Sequence, residues 1–286
     1  MNKGSCLCGD ITWEITADPI MYSNCHCSMC RKIHGTAYGA YIAVPAEEFR
    51  WISGEKKILS YESSSDGQRP SCPRCGSAVA SLVPDYQMVF MPIGNLDGEI
   101  HKSLDMHIFV GSKAPWFEIT DVAPQHDASP PEYDIPETES PTREPATSGA
   151  TGGSCLCGAV TFEFDDHLGR MGNCHCSRCR RARSSPHSTQ LFVMMSSFRW
   201  VQGEDHVKRF KLPDTDTFTT SFCKTCASAM PTVFEDRGMA MVPAGALDQD
   251  PGIRPQAHIY IGSKAPWFEI TDDLMQFEAM PDMPNN

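Results

Sequence analysis

Fourteen cysteines fall into one pattern of seven, written twice. They stand at 6, 8, 25, 27, 30, 72 and 75, and again at 155, 157, 174, 176, 179, 223 and 226. The offset is 149 for the first five pairs and 151 for the last two. GSCLCG is identical at 4–9 and 153–158, and HIFVGSKAPWFEITD at 107–121 matches HIYIGSKAPWFEITD at 258–272 in 13 of 15 positions. This is a tandem duplication of a whole folding unit, so the unit must be one that seven thiols permit.

The expected organisation is a first domain over 1–126 and a second over 153–286, each long enough to bury a core. Residues 127–152, DASPPEYDIPETESPTREPATSGATG, are rich in Pro, Glu, Ser and Thr and poor in apolar side chains. Such a stretch cannot offset its ordering entropy and reads as a disordered or extended linker. The alternative is a strap packed along one domain, for which Tyr133 and Ile135 are the candidate anchors. The two copies are also expected to be able to pack as an intramolecular pseudo-dimer.

A net charge of −12 opposes a broad grip on nucleic acid. The apolar runs are too short for a membrane span, and MNKGSCLCGDITWEI has no apolar core of signal-peptide length before Cys6. The expected location is the cytoplasm.

Within a copy the pattern is mainly β. DITWEI and AVTFEF alternate apolar and polar residues as half-buried strands do, and AYGAYIAV, QMVFMPIG and DMHIFV read as further strands. One short helix is expected around MCRKIH, with Ser28 as N-cap and Gly35 as C-cap. Gly35 and Gly76 become Ser184 and Ala227 in the second copy, which predicts a strained second knuckle or a different turn there.

Seven thiols per copy cannot all pair, and a reducing compartment disfavours disulfides. Metal ligation as four plus three fits the count. CLCG and CPRCG are knuckles near the two ends of a copy, and together they offer a closed four-thiolate cage, Cys6, Cys8, Cys72 and Cys75, suited to structural zinc. Iron remains an alternative occupant of that cage. Cys25, Cys27 and Cys30 are left as three ligands with an open fourth position, the arrangement of catalytic zinc. In an extended Cys-His-Cys stretch His26 points away from a metal held by its neighbours, so it reads as a packing or supporting residue. His107 and His258 read as satisfied structural histidines, with proton transfer at the open site as the alternative. Trp116 and Trp267 read as core residues fixed by the Lys-Ala-Pro turn before them.

The motifs GSCLCG, CHCSMCRK, CPRCG and HIFVGSKAPW, recurring in order in the second copy, resemble the glutathione-dependent formaldehyde-activating enzyme family, which also includes centromere protein V. The resemblance implies an Mss-four-like, zinc-stapled β fold in two tandem copies, with two Zn²⁺ per domain and four per chain. It implies the same partition of the cysteines, with Cys155, Cys157, Cys223 and Cys226 structural and Cys174, Cys176 and Cys179 catalytic in the second copy. The implied reaction condenses glutathione with formaldehyde to S-(hydroxymethyl)glutathione, of the carbon–sulfur lyase class, so the implied partners are a small thiol and an aldehyde. Three cysteinates and an incoming thiolate leave such a site at −2. Arg31 and Lys32, or Arg178, Arg180 and Arg181, are placed to offset that charge or to bind substrate carboxylates; a solvated basic helix face is the plainer reading. The altered wall, RKIHG against RRARS, favours the first copy for activity. Two other functions compete: a non-catalytic zinc binding module and a thiol-responsive sensor.

Overall fold

The computed structural model describes residues 1–64, 67–131 and 142–281. The first half runs β1 (Asn2–Ser5), β2 (Thr12–Ile15), β3 (Met21–Cys25), α1 (Ser28–His34), β4 (Gly39–Pro45), β5 (Phe49–Ser53), β6 (Leu59–Ser64), β7 (Gly67–Ser71), β8 (Ser81–Val83), β9 (Met88–Pro92) and β10 (Met106–Ile108). The second half repeats the plan through β11 (Thr151–Ser154), β12 (Thr161–Phe164), β13 (Met171–Cys174), α2 (Ser177–Arg183), β14 (Ser188–Met194), β15 (Phe198–Gln202), β16 (Val207–Lys211), β17 (Thr219–Cys223), β18 (Ala229–Met230), β19 (Thr232–Phe234), β20 (Met239–Pro243), β21 (Ala257–Ile259) and β22 (Met275–Phe277). The protein is mainly β, in two similar halves. No helix among the described residues is long and apolar enough to cross a membrane.

Each half packs a small sheet, β1-β2-β5 or β11-β12-β15, beside a larger one. The larger sheets are ordered β10-β3-β4-β9-β8 and β19-β20-β14-β13-β21-β22, and their cores centre on Trp13, Ile42 and Met91 and on Phe162, Phe164 and Leu191. The expected strands are present, but β2 and β12 are covered on both faces rather than one. Glu14 is buried against Arg50, and Glu163 accepts hydrogen bonds from Thr147 and Arg199, so the polar residue of each alternating pattern is sealed by a partner. Strand β10 pairs with β3 in parallel, setting His107 opposite Asn24 and Ile108 opposite Cys25. That pairing ties the SKAPWFEITD segment to the strand carrying the three-cysteine motif.

The helix forms one residue away from the expected cap. Cys27, not Ser28, is the N-cap, and its Sγ accepts from the Cys30 amide at 3.4 Å; Cys176 caps α2 in the same way. A side-chain acceptor at that position satisfies an otherwise orphaned amide, so the thiol that would bind metal also starts the helix. At the other end Gly35 closes α1 in the left-handed region, and Ser184 adopts the same conformation at φ 52°. The knuckle turn is likewise shared: Gly76 and Ala227 both donate to the carbonyl four residues back at 2.9 Å, with φ of 77° and 58°. The second knuckle is therefore the same turn held by an alanine. Gly76→Ala is expected to lower stability by more than the roughly 1–2 kcal/mol of left-handed strain, because its Cβ would lie 2.5 Å from the Phe222 ring. The shift in denaturant midpoint measures it.

The halves pack together, and several of their contacts recur at matching positions. Helix α1 lies on the turn Ala244–Ala246, and α2 on the turn Ile93–Asn95. Gly245 and Gly94 sit there because a Cβ would come within 2.2 Å of Arg31 O and Ser185 N. Lys32 donates to Ser154 and to Asp248 at 2.7 Å, and Arg181 answers with Ser5 and Asp97.

Both described ends of the segment expected as a linker are tied down. His126 and Ala128 pair with the backbone of residues 107–110, while Thr147 and Arg143 bond to Glu163 and Ser154. These ends lie against the two halves. Tyr133 and Ile135 lie outside the described residues.

Candidate metal centres

Four groups of thiols converge, and within each every sulfur lies within 4.8 Å of the others: Cys6, Cys8, Cys72 and Cys75; Cys155, Cys157, Cys223 and Cys226; Cys25, Cys27 and Cys30; and Cys174, Cys176 and Cys179. A tetrahedral cage with metal–sulfur bonds of about 2.3 Å sets its sulfurs about 3.8 Å apart. In the first four-thiol group Cys8 Sγ lies 3.5 Å from Cys6 and 3.6 Å from Cys72; the matching distances in the second are 3.4 and 3.7 Å. The residues thus fit a tetrahedral thiolate-bound ion such as zinc. Backbone amides also point at the sulfurs, Ile11 N to Cys6 and Val160 N to Cys155. Hydrogen bonds from the other three thiols, Cys6 and Cys155 foremost, hold Cys75 and Cys226 far below the usual thiol range.

No other His, Cys, Asp or Glu joins either trio among the described residues. Cys25 and Cys27 lie 3.5 Å apart, and the first turn of α1 brings in Cys30. Hydrogen bonds from Cys25 and then Cys27 hold Cys30 well below the thiol range, while Cys25 is pushed up by the same contacts. In the second trio Cys174 and then Cys179 lower Cys176 to about 3. A divalent ion, when bound, would draw off the remaining protons.

His26 is turned from the trio. Its Nε2 lies 2.8 Å from His107 Nδ1, and His107 Nε2 lies 3.0 Å from Asp121. Because Asp121 accepts from His107, His26 must be the donor to His107 Nδ1. Burial, then His107, lowers the His26 pKa to about 3, so the ring is neutral. His175, His258 and Asp272 repeat this chain at 2.7 and 3.0 Å. Asp121 and Asp272 reach a cavity of about 420 Å³ between the halves, also lined by Tyr38, His187 and the half-buried Trp267, and by no cysteine. Trp116, by contrast, is buried as expected.

Lys32 is buried against Asp248; Arg180 is buried and donates to Gly94 O and Leu96 O; Arg181 binds Ser5, Asn95 and Asp97. All three bond across to the other half. Arg31 is half-buried and its Nε donates to His26 O at 3.3 Å.

The walls of the trios come from residues that sequence reasoning passed over. Beside the first trio, Arg69 Nη1 lies 3.7 Å and Tyr41 Oη 3.9 Å from Cys30 Sγ. Burial works against the Arg69 charge, but the neighbouring thiolates, Cys30 first, outweigh it and keep the guanidinium charged. His34 Nδ1 donates to Arg183 O at 2.6 Å, which leaves its Nε2 to accept from Tyr41 at 2.8 Å. The second half thereby orients a residue of the first half's site. The available signal was positional: His34 follows Cys30 by one helical turn, and Arg69 precedes Cys72 on the strand entering the knuckle.

A family model described as glutathione-dependent formaldehyde-activating enzyme matches residues 1–112 and 150–263. A curated protein of Halomonas elongata, named "Putative glutathione-dependent formaldehyde-activating enzyme", is 26% identical over 126 residues, covering 41% of this chain and 80% of that protein. The crystal structure of a Rhodobacter sphaeroides protein is similar at 24% identity, covering 36% of this chain and 97% of that one with a TM-score of 0.29. With both halves matched over most of their length, the chain belongs to the glutathione-dependent formaldehyde-activating enzyme family, as a tandem pair.

Proposed function

We propose that the chain joins the thiol of glutathione to formaldehyde, giving S-(hydroxymethyl)glutathione, with four zinc ions, one in each thiol group. The reading is carried by one observation: three thiols converge in each half without a fourth protein ligand among the described residues, beside a four-thiol group that is complete. Zinc, when bound, would supply a deprotonated substrate thiol at neutral pH and a positive charge for developing negative charge. The protein's share is to hold the reactants and balance charge. Cys25, Cys27 and Cys30, with Cys174, Cys176 and Cys179, would fix the ion. Arg69 offsets the thiolate charge of the first site, and Tyr41, steadied by His34, presents its oxygen to Cys30. A carbon–sulfur bond forms, and the thiol proton ends on the new hydroxyl.

The test is the rate of hydroxymethyl exchange between formaldehyde and glutathione, followed by exchange NMR. The wild-type chain is expected to accelerate it. A Cys27→Ser, Cys176→Ser double variant, which takes one ligand from each trio, is expected to fall at least about 100-fold, towards the uncatalysed rate. Retained acceleration would sink the proposal. Zinc release by mild oxidant without turnover would point to a sensor instead.

A further inference from the structure

The two trios are walled by different chemistry. At the shared offsets His34 on α1 becomes Arg183 on α2, Tyr41 on β4 becomes Gln190 on β14, and Arg69 on β7 becomes Thr220 on β17. Each site keeps an arginine from a different element, half-buried Arg69 in the first and buried Arg183 in the second. Arg69 is engaged: Nε donates to Ser63 Oγ at 3.1 Å and Nη1 to Cys30 Sγ. Arg183 is not. It is 7% exposed, it follows Cys179 by four residues on the same helix face, and its guanidinium has no hydrogen-bond acceptor among the described residues. Gln190 Oε1 is also buried without a partner, while its amide nitrogen donates to Ser188 at 2.5 Å.

A guanidinium presents five N–H donors. Its planar fork matches a carboxylate with two parallel hydrogen bonds. The second trio is also the more accessible: Cys176 and Cys179 are half-buried, whereas all of Cys25, Cys27 and Cys30 are buried. A substrate larger than formaldehyde has more room there.

We propose that Arg183 makes the second trio a site for aldehydes that carry a carboxylate beside the carbonyl, glyoxylate being the smallest, while the first trio takes uncharged formaldehyde. The inference rests on the thiol–aldehyde reading above. The step is an addition: the thiol sulfur's electron pair forms a bond to the aldehyde carbon, the carbonyl π pair moves to oxygen, and the thiol proton ends on that oxygen. The carboxylate stays on Arg183, and nothing is oxidised or reduced. The two copies then share one chemistry and divide the substrates.

The experiment uses the full metal-loaded chain with Cys27→Ser to silence the first trio, and compares glutathione addition to glyoxylate and to formaldehyde. Arg183→Gln in that background is expected to lower kcat/KM for glyoxylate roughly 30-fold, about what two charge-assisted hydrogen bonds supply, and for formaldehyde less than about 3-fold. Arg183→Lys, which keeps the charge but not the fork, falls between and covers the case in which the glutamine variant misfolds. Glycolate, which has the carboxylate but no aldehyde, is titrated by calorimetry; its binding should weaken by a similar factor in Arg183→Gln and persist in Arg69→Gln. An equal fall for both aldehydes, or glycolate binding indifferent to Arg183, overturns the inference and leaves Arg183 as a counter-charge to the trio. If the wild-type chain accelerates neither aldehyde, the thiol–aldehyde reading fails, and the glycolate titration still decides whether Arg183 holds a carboxylate.

Discussion

Changing Cys72 to serine is expected to cost the chain one metal ion and the fold of its first half. Cys6 and Cys8 precede β2, and Cys72 lies 64 residues beyond Cys8, so the four-thiol group ties the start of the half to the end of the β6–β7 hairpin. Beyond it, the Leu7 amide donates to Ser77 and Asp10 pairs with Arg74. The hairpin forms a separate two-stranded sheet, and two-stranded ribbons are marginal alone. Structural zinc contributes on the order of 10–16 kcal/mol in small zinc domains, as much as the whole net stability of an ordinary domain, about 5–15 kcal/mol. Metal analysis should fall from four ions to three, and the unfolding transition should move to far lower denaturant or split. An unchanged midpoint would mean that the cluster is incidental to folding.

Lys32→Ala is expected to destabilise the chain by about 3–5 kcal/mol, the usual consequence of stranding one partner of a buried ion pair. Lys32 and Asp248 are each 3% exposed, and Ser154 bonds to both, so the deletion leaves a carboxylate sealed between the halves with its cation gone. The counterpart Arg181→Ala should cost much less, about 1 kcal/mol for its ion pair, because Asp97 is 55% exposed and water can replace the lost partner. Urea midpoints of the two variants separate these cases. A Lys32→Ala chain of normal stability but raised KM would return Lys32 to the role of a substrate ligand.

The thiol groups were legible because metal ligation writes itself into local spacing. Knuckles two and three residues apart, and a trio on a strand end and the following helical turn, need no knowledge of distant contacts. The duplication then supplied an internal check at each position. The helix was misplaced by one residue because a cysteine is not counted among N-caps, yet Cys27 Sγ accepts as a serine oxygen would. The cross-half pairing of Lys32, Arg180 and Arg181 was not legible for a different reason. A basic helix face looks solvated or substrate-facing until the other half is laid over it, and that contact depends on turns more than 60 residues away. Arg69 and Tyr41 were missed because they reach the Cys30 sulfur from strands of two different sheets, and His34 because it acts through Tyr41. The His26–His107–Asp121 chain was half read: His26 faces away from the trio, as the alternation of an extended strand demands, but its partner is set by the parallel pairing of β10 with β3.

The measurement that bears most directly on this account is cobalt loading of the freshly reduced chain, followed by titration with glutathione while the ligand-field bands are recorded. Four ions per chain are predicted, two of which change spectrum as a fourth sulfur arrives while the other two stay constant. Two ions per chain with both trios empty, or four ions that all ignore the thiol, would contradict it.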